Sequence, residues 1–154
     1  ERTGGLEGDT GPELLTQGLF HDRYVGGVRP GHALATGARS PARYAAERHV
    51  AVSRDALAKG LIDDTLAQDG IVREVATVVG GFATAISLAR SSGLVATVPE
   101  RHTQGLREGL VSFELPMPAT TFPVSLLWHP RMEADPAHRW LRGRVREVCA
   151  DPAI

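Results

Sequence analysis

Residues 73–99 read REVATVVG, a second glycine, FATAISLARSSG and LVATVP. The first piece has the β-branched composition of a strand, and Gly80-Gly81 breaks it. Phe82, Ala85, Ile86 and Ala89 then recur at helical spacing until Gly93 stops the helix, and Pro99 closes a second strand. Strand, helix and strand in direct succession define a parallel βα unit, so the chain is expected to be an α/β protein.

The alternation extends to both sides. Ser40-Pro41 supplies an N-cap and a first-turn proline for a short helix through Ala46, followed by the strand HVAVS. LIDDTLAQDG sets Leu61, Ile62, Thr65 and Leu66 on one helical face and ends at Gly70. Upstream, ELLTQGLF and RYVGGVRP read as two strands separated by the polar His21-Asp22. Residues 1–12 hold four glycines and read as a loop. Downstream come a polar helix over ERHTQGLREG, a strand LVSFELP, a proline-containing loop and a strand PVSLLWH. Asp135-Pro136 then opens a final helix whose apolar positions are Ala137, Trp140, Leu141, Val145, Val148 and Cys149. Two strands on each flank of a βα middle suggest a chain that enters a second lobe and returns.

A length of 154 residues suits one domain, and its 42% apolar and 23% charged side chains suit a soluble one. No stretch approaches the roughly 20 apolar residues of a membrane span. Seventeen basic against eighteen acidic residues leave a formal charge of −1, without the positive surface that phosphate binding needs. This chain alone is therefore not expected to hold DNA. One cysteine, Cys149, cannot form an internal disulfide and favours a reducing compartment, the cytoplasm. The first residue is Glu1, with neither an initiator methionine nor a leader, as expected of a piece of a longer protein.

Chemical motifs are sparse. His21, His32, His49, His102, His129 and His138 form no zinc-ligand spacing and are read as surface or capping residues. Cys149 lies on an apolar helix face as a buried small side chain. Asp63 and Asp64 diverge by about 100° on a helix and are read as solvated. No nucleophile elbow, dinucleotide fingerprint or P-loop lysine occurs, so no catalytic residue, metal or cofactor is nominated. Gly80-Gly81 reads equally as a tight turn or as a place where backbone meets a small anion.

LVATVPERHTQGL, LPMP and FPVSLLWHPRMEADPAHRWLR follow one another in an order that resembles the C-terminal portion of LysR-type transcriptional regulators. LFHDRYVGGVRPGHALA resembles that family's strand and Gly-His-Pro-Leu element, with Ala33 in place of proline. VVGGFATAISLARSSG resembles its strand-to-helix segment. The resemblance implies a bilobed effector-binding domain of the type 2 periplasmic-binding-protein fold, with a small-molecule effector, a carboxylate among the options, in the inter-lobe cleft. It places the first lobe at 1–23 and 103–154 and the second at 24–102, with the winged helix-turn-helix domain and the first half of lobe one absent. Gly80, Gly81 and Phe82 are then effector contacts, with Thr84 beside them. Tyr24, Val25 and Thr97 are candidate contacts by proximity only, and for each of them strand packing is the stronger reading. The resemblance further implies a homodimer or homotetramer with helix 61–69 at a subunit contact, and DNA binding only through the absent domain. The remaining alternatives are a lobe of an exported solute-binding protein and a bilobed biosynthetic enzyme domain.

Overall fold

A computed structural model describes residues 14–57, 59–118 and 121–150. The loop expected over residues 1–12 lies outside them. The chain divides into two compact units, residues 1–21 with 123–154 and residues 22–122. The expected second lobe ran from Tyr24 to His102. The larger unit also takes in residues 103–122, because the chain there returns along the same sheet.

In the larger unit, β2 (Arg48–Val52) pairs in parallel with β3 (Glu74–Val79) and with β4 (Val95–Pro99). β1 (Leu15–Val28) lies antiparallel to β4 on one side and to β5 (Val111–Glu114) on the other, giving the order β3-β2-β4-β1-β5. The helices are α1 (Pro41–Ala45), α2 (Leu61–Gln68) and α3 (Phe82–Ser91). Ser40 caps α1, its hydroxyl accepting the Arg43 amide at 3.2 Å, and Gly70 ends the α2 segment at a φ of 69° that glycine adopts without penalty.

Residue alternation along the strands sorts the core into two layers. Ala85, Ile86 and Ala89 of α3 pack with Val25, Val50, Ala96 and Val98. A second cluster joins Val28, Val95 and Phe113 to Tyr44 and Ala45 of α1 and to Ile62 and Leu66 of α2. One glycine is indispensable to this second layer. A Cβ on Gly26 would stand 2.2 Å from the Phe113 ring, which occupies the side-chain space that Gly26 leaves empty.

β1 corrects the expectation of two strands interrupted at His21-Asp22. Asp22 is 4% exposed, and its carboxylate accepts the amides of Arg23 at 2.8 Å, Arg101 at 3.0 Å and His102 at 3.1 Å. A buried acid with three amide donors is satisfied and need not break a strand. The polar helix expected over 100–109 shrinks to a single 3₁₀ turn, Gln104–Arg107. Here Arg107 bonds Thr103 Oγ1 at 3.1 Å and the Glu100 carbonyl at 2.8 Å, and Gly109 has a φ of 80°.

In the smaller unit, β6 (Thr121–Trp128) pairs with β1, and α4 (Pro136–Ala150) follows. Asp135 caps α4 through the His138 amide at 2.7 Å. The apolar face expected on α4 is present in sequence but not buried. Trp140, Leu141 and Val148 are each more than half exposed, Cys149 is only half-buried, and Arg142 is the residue of this helix that is buried. The Arg142 guanidinium lies 4.5 Å from the centre of the Trp128 ring. Among the described residues no helix is long and apolar enough to cross a membrane.

Candidate functional site

The larger unit holds a pocket of about 230 Å³ at the carboxyl end of β2, the side of a parallel arrangement where α/β proteins collect ligands. Val50, Ala51 and Val52 come from the end of β2, Ser53, Leu57, Lys59 and Gly60 from the connection to α2, and Leu61, Ile62 and Asp63 from the first turn of α2. Arg73 precedes β3, Phe82 opens α3, Thr97 stands on β4 and Tyr24 on β1.

One polar chain organises this wall. Arg73 meets Asp63 through two parallel bonds, Nε to Oδ1 at 2.8 Å and Nη2 to Oδ2 at 3.0 Å, the fork geometry that favours Arg–carboxylate pairs. Asp63 Oδ2 also accepts the Gly60 amide at 2.9 Å. Arg73 Nη1 reaches the Tyr44 hydroxyl at 3.4 Å, and Tyr44 shares a 2.6 Å bond with Thr97 Oγ1. Burial alone would raise the Asp63 carboxyl, but the bonds and charge of Arg73 outweigh it and hold the group below its ordinary value. Burial likewise opposes the charge on Arg73, and its bond to Asp63 reverses the effect and keeps the guanidinium firmly protonated. Burial, with the Asp22 charge, raises the Tyr24 phenol, so Tyr24 stays a neutral donor.

Asp63 thus departs from the expected solvated position, since its side chain is only 14% exposed. Two histidines depart as well. His49 is fully buried, donates Nε2–H to the Tyr44 carbonyl at 2.9 Å and leaves Nδ1 without a partner. His32 is buried too, its Nδ1 accepting the Leu34 amide at 3.0 Å and its Nε2 lying 3.1 Å from the Gly93 carbonyl. His129 is a capping residue, accepting the Arg131 amide at 3.1 Å.

Of the expected contacts, Tyr24, Phe82 and Thr97 come together on the pocket wall. Val25 points to the other face of β1, into the α3 layer. Gly80, Gly81 and Thr84 lie outside the lining. A side chain added at Gly80 or Gly81 would meet nothing within 4 Å of its Cβ. Ser53, Lys59, Asp63 and Arg73 were not nominated. For Ser53 a signal existed, since it is the last residue of the strand HVAVS, at the strand's carboxyl end. The Asp63–Arg73 pair spans ten residues with no motif to mark it.

The larger unit is an α/β module with a pocket at the carboxyl end of its parallel strands. The chain belongs to the LysR substrate-binding domain family, whose model, described as "LysR substrate binding domain", matches residues 3–150. The HTH-type transcriptional activator NagR of a Ralstonia species is 32% identical over 153 residues, covering 91% of this chain and 48% of NagR. The probable transcriptional regulator PA0477 of Pseudomonas aeruginosa superposes with a TM-score of 0.75 at 30% identity, covering 91% of this chain and 46% of that one. The effector-binding domain of QuiR, solved with shikimate, has a TM-score of 0.70 at 15% identity, covering 91% of this chain and 67% of that one, a likeness of fold. The chain spans about half the length of the curated relatives it matches. The architecture is that of LysR regulatory domains, the type 2 periplasmic-binding-protein class. These relatives are bacterial transcriptional regulators.

Proposed function

We propose that this chain is the effector-reading part of a LysR-type transcriptional regulator acting in the cytoplasm. A small organic acid enters the pocket at the end of β2. Phe82, Ile62 and Val52 face its apolar body, while the hydroxyls of Tyr24, Ser53 and Thr97 and the ammonium of Lys59 meet its polar groups. The observation that carries this reading is the combination, in one pocket, of an apolar wall, hydroxyls and the lysine Lys59, the composition of a ligand site with a few placed polar groups. Relatives named as transcriptional regulators, and one structural neighbour solved with shikimate, support it.

Binding that favours one arrangement of the domain shifts its population, and the shift passes to DNA-binding domains elsewhere in the full-length regulator. The subunits associate as a homodimer or homotetramer through α2 and the edge strand β3. Leu61 at the start of α2 and Val72 just before β3 are exposed at 52% and 82%, and among the described residues β3 pairs with no strand on its outer side.

A thermal-shift screen of small aromatic and aliphatic acids on the full-length regulator tests the reading. A binding acid raises the melting temperature and changes the regulator's footprint on its operator DNA. Phe82→Ala weakens that acid at least tenfold by calorimetry, and unchanged affinity in the folded variant would remove the pocket from consideration. Gly81→Val, which has room for its side chain, tests whether the amides opening α3 also take part, with weakened binding in a folded protein expected if they do.

A further inference from the structure

Building on the pocket as the effector site, we infer that Asp63 fixes the effector's charge class: by occupying Arg73 it leaves one uncompensated positive charge, on Lys59, and so selects a monoanion over a dianion. Lys59, Asp63 and Arg73 are the charged side chains of the lining. Arg73 is only 5% exposed and faces Asp63 with both ends of its fork. An effector carboxylate seeking that fork would have to displace a carboxylate already there.

Asp63 is also anchored from behind. Its Oδ2 takes the Gly60 amide at the start of α2, so it cannot swing aside without uncapping that helix. Lys59 is exposed, and among the described residues it forms no ion pair. A monoanion therefore neutralises the pocket. A second acidic group would share about 230 Å³ with Asp63. Like charges about 6 Å apart at an effective dielectric of ~20 repel enough to lower affinity by roughly a hundredfold.

The test uses the full-length regulator with two matched pairs of probes, benzoate with phthalate and acetate with malonate, followed by calorimetry and thermal shift at low salt. The wild type binds the monoanion of each pair more tightly. Asp63→Asn keeps an acceptor for Gly60 and an oxygen toward Arg73, but removes the negative charge. It moves the preference toward the dianion by roughly tenfold or more. Lys59→Gln, at an exposed side chain, abolishes monoanion stabilisation without moving the melting temperature of the unliganded protein.

A mono-to-dianion ratio unchanged in folded Asp63→Asn overturns the inference and leaves the pocket reading standing, as does a wild type that prefers dianions. If Asp63→Asn does not fold, monoanion binding retained by Lys59→Gln overturns it. A wild type that binds none of the four acids overturns the pocket reading as well.

Discussion

The His49 imidazole sits against the Tyr44 ring, 4.5 Å between centres, and burial, with the Arg73 charge as the second cause, pushes its pKa down from 6.5 to about 4. The unfolded chain takes up a proton near pH 6.5 while the native state resists until about 4. Stability is therefore fully present above 6.5 and declines as the pH falls toward 4, by about 2 kcal/mol between 6.5 and 5. Urea midpoints at those two pH values should show this decline, and His49→Gln, which keeps a donor for the Tyr44 carbonyl, should flatten it. Single residues of this kind were the least legible part of the sequence. His49, Asp22 and Asp63 each look like polar surface positions because the groups that satisfy them are set by the fold. Two of the three amides on Asp22 come from residues 79 and 80 positions away, and no local pattern announces a partner at that separation. Tyr24, Phe82 and Thr97 were reachable through family resemblance, which fixes an element's place in the fold without showing which way a side chain turns.

Elements were legible wherever a local signal governs them. Ser40 before Pro41 and Asp135 before Pro136 mark helix starts, because a capping side chain bonds within three residues of itself. Asp135→Ala should remove the acceptor for the His138 amide and cost about 1 kcal/mol, read as a lower melting temperature with reduced helical circular dichroism. Where an element depends on distant groups, the local signal misleads. β1 runs straight through His21-Asp22, and the polar segment after Pro99 lacks an apolar stripe that could hold a full helix against the sheet. α4 shows the reverse case. Its 3.6-residue pattern forms a helix as expected, yet Trp140, Leu141 and Val148 stay exposed, since periodicity specifies an apolar face without supplying a surface to cover it.

At the scale of the molecule, the larger unit is one uninterrupted stretch of chain with apolar layers on both faces of its sheet. The smaller unit is assembled from two separate stretches. A fragment of residues 22–122 should therefore fold alone, with a cooperative thermal transition and dispersed amide resonances, because a compact unit with its own core carries most of its stability within itself. A broad, non-cooperative melt would show that it needs the rest of the chain. Heredity is constrained at the same scale. The Phe113 ring fills the space that Gly26 leaves bare on the neighbouring strand, so neither position can drift alone. Any lineage that gains a side chain at 26 must shrink the ring at 113, and the two should change together in descendants as a covarying pair nearly ninety residues apart.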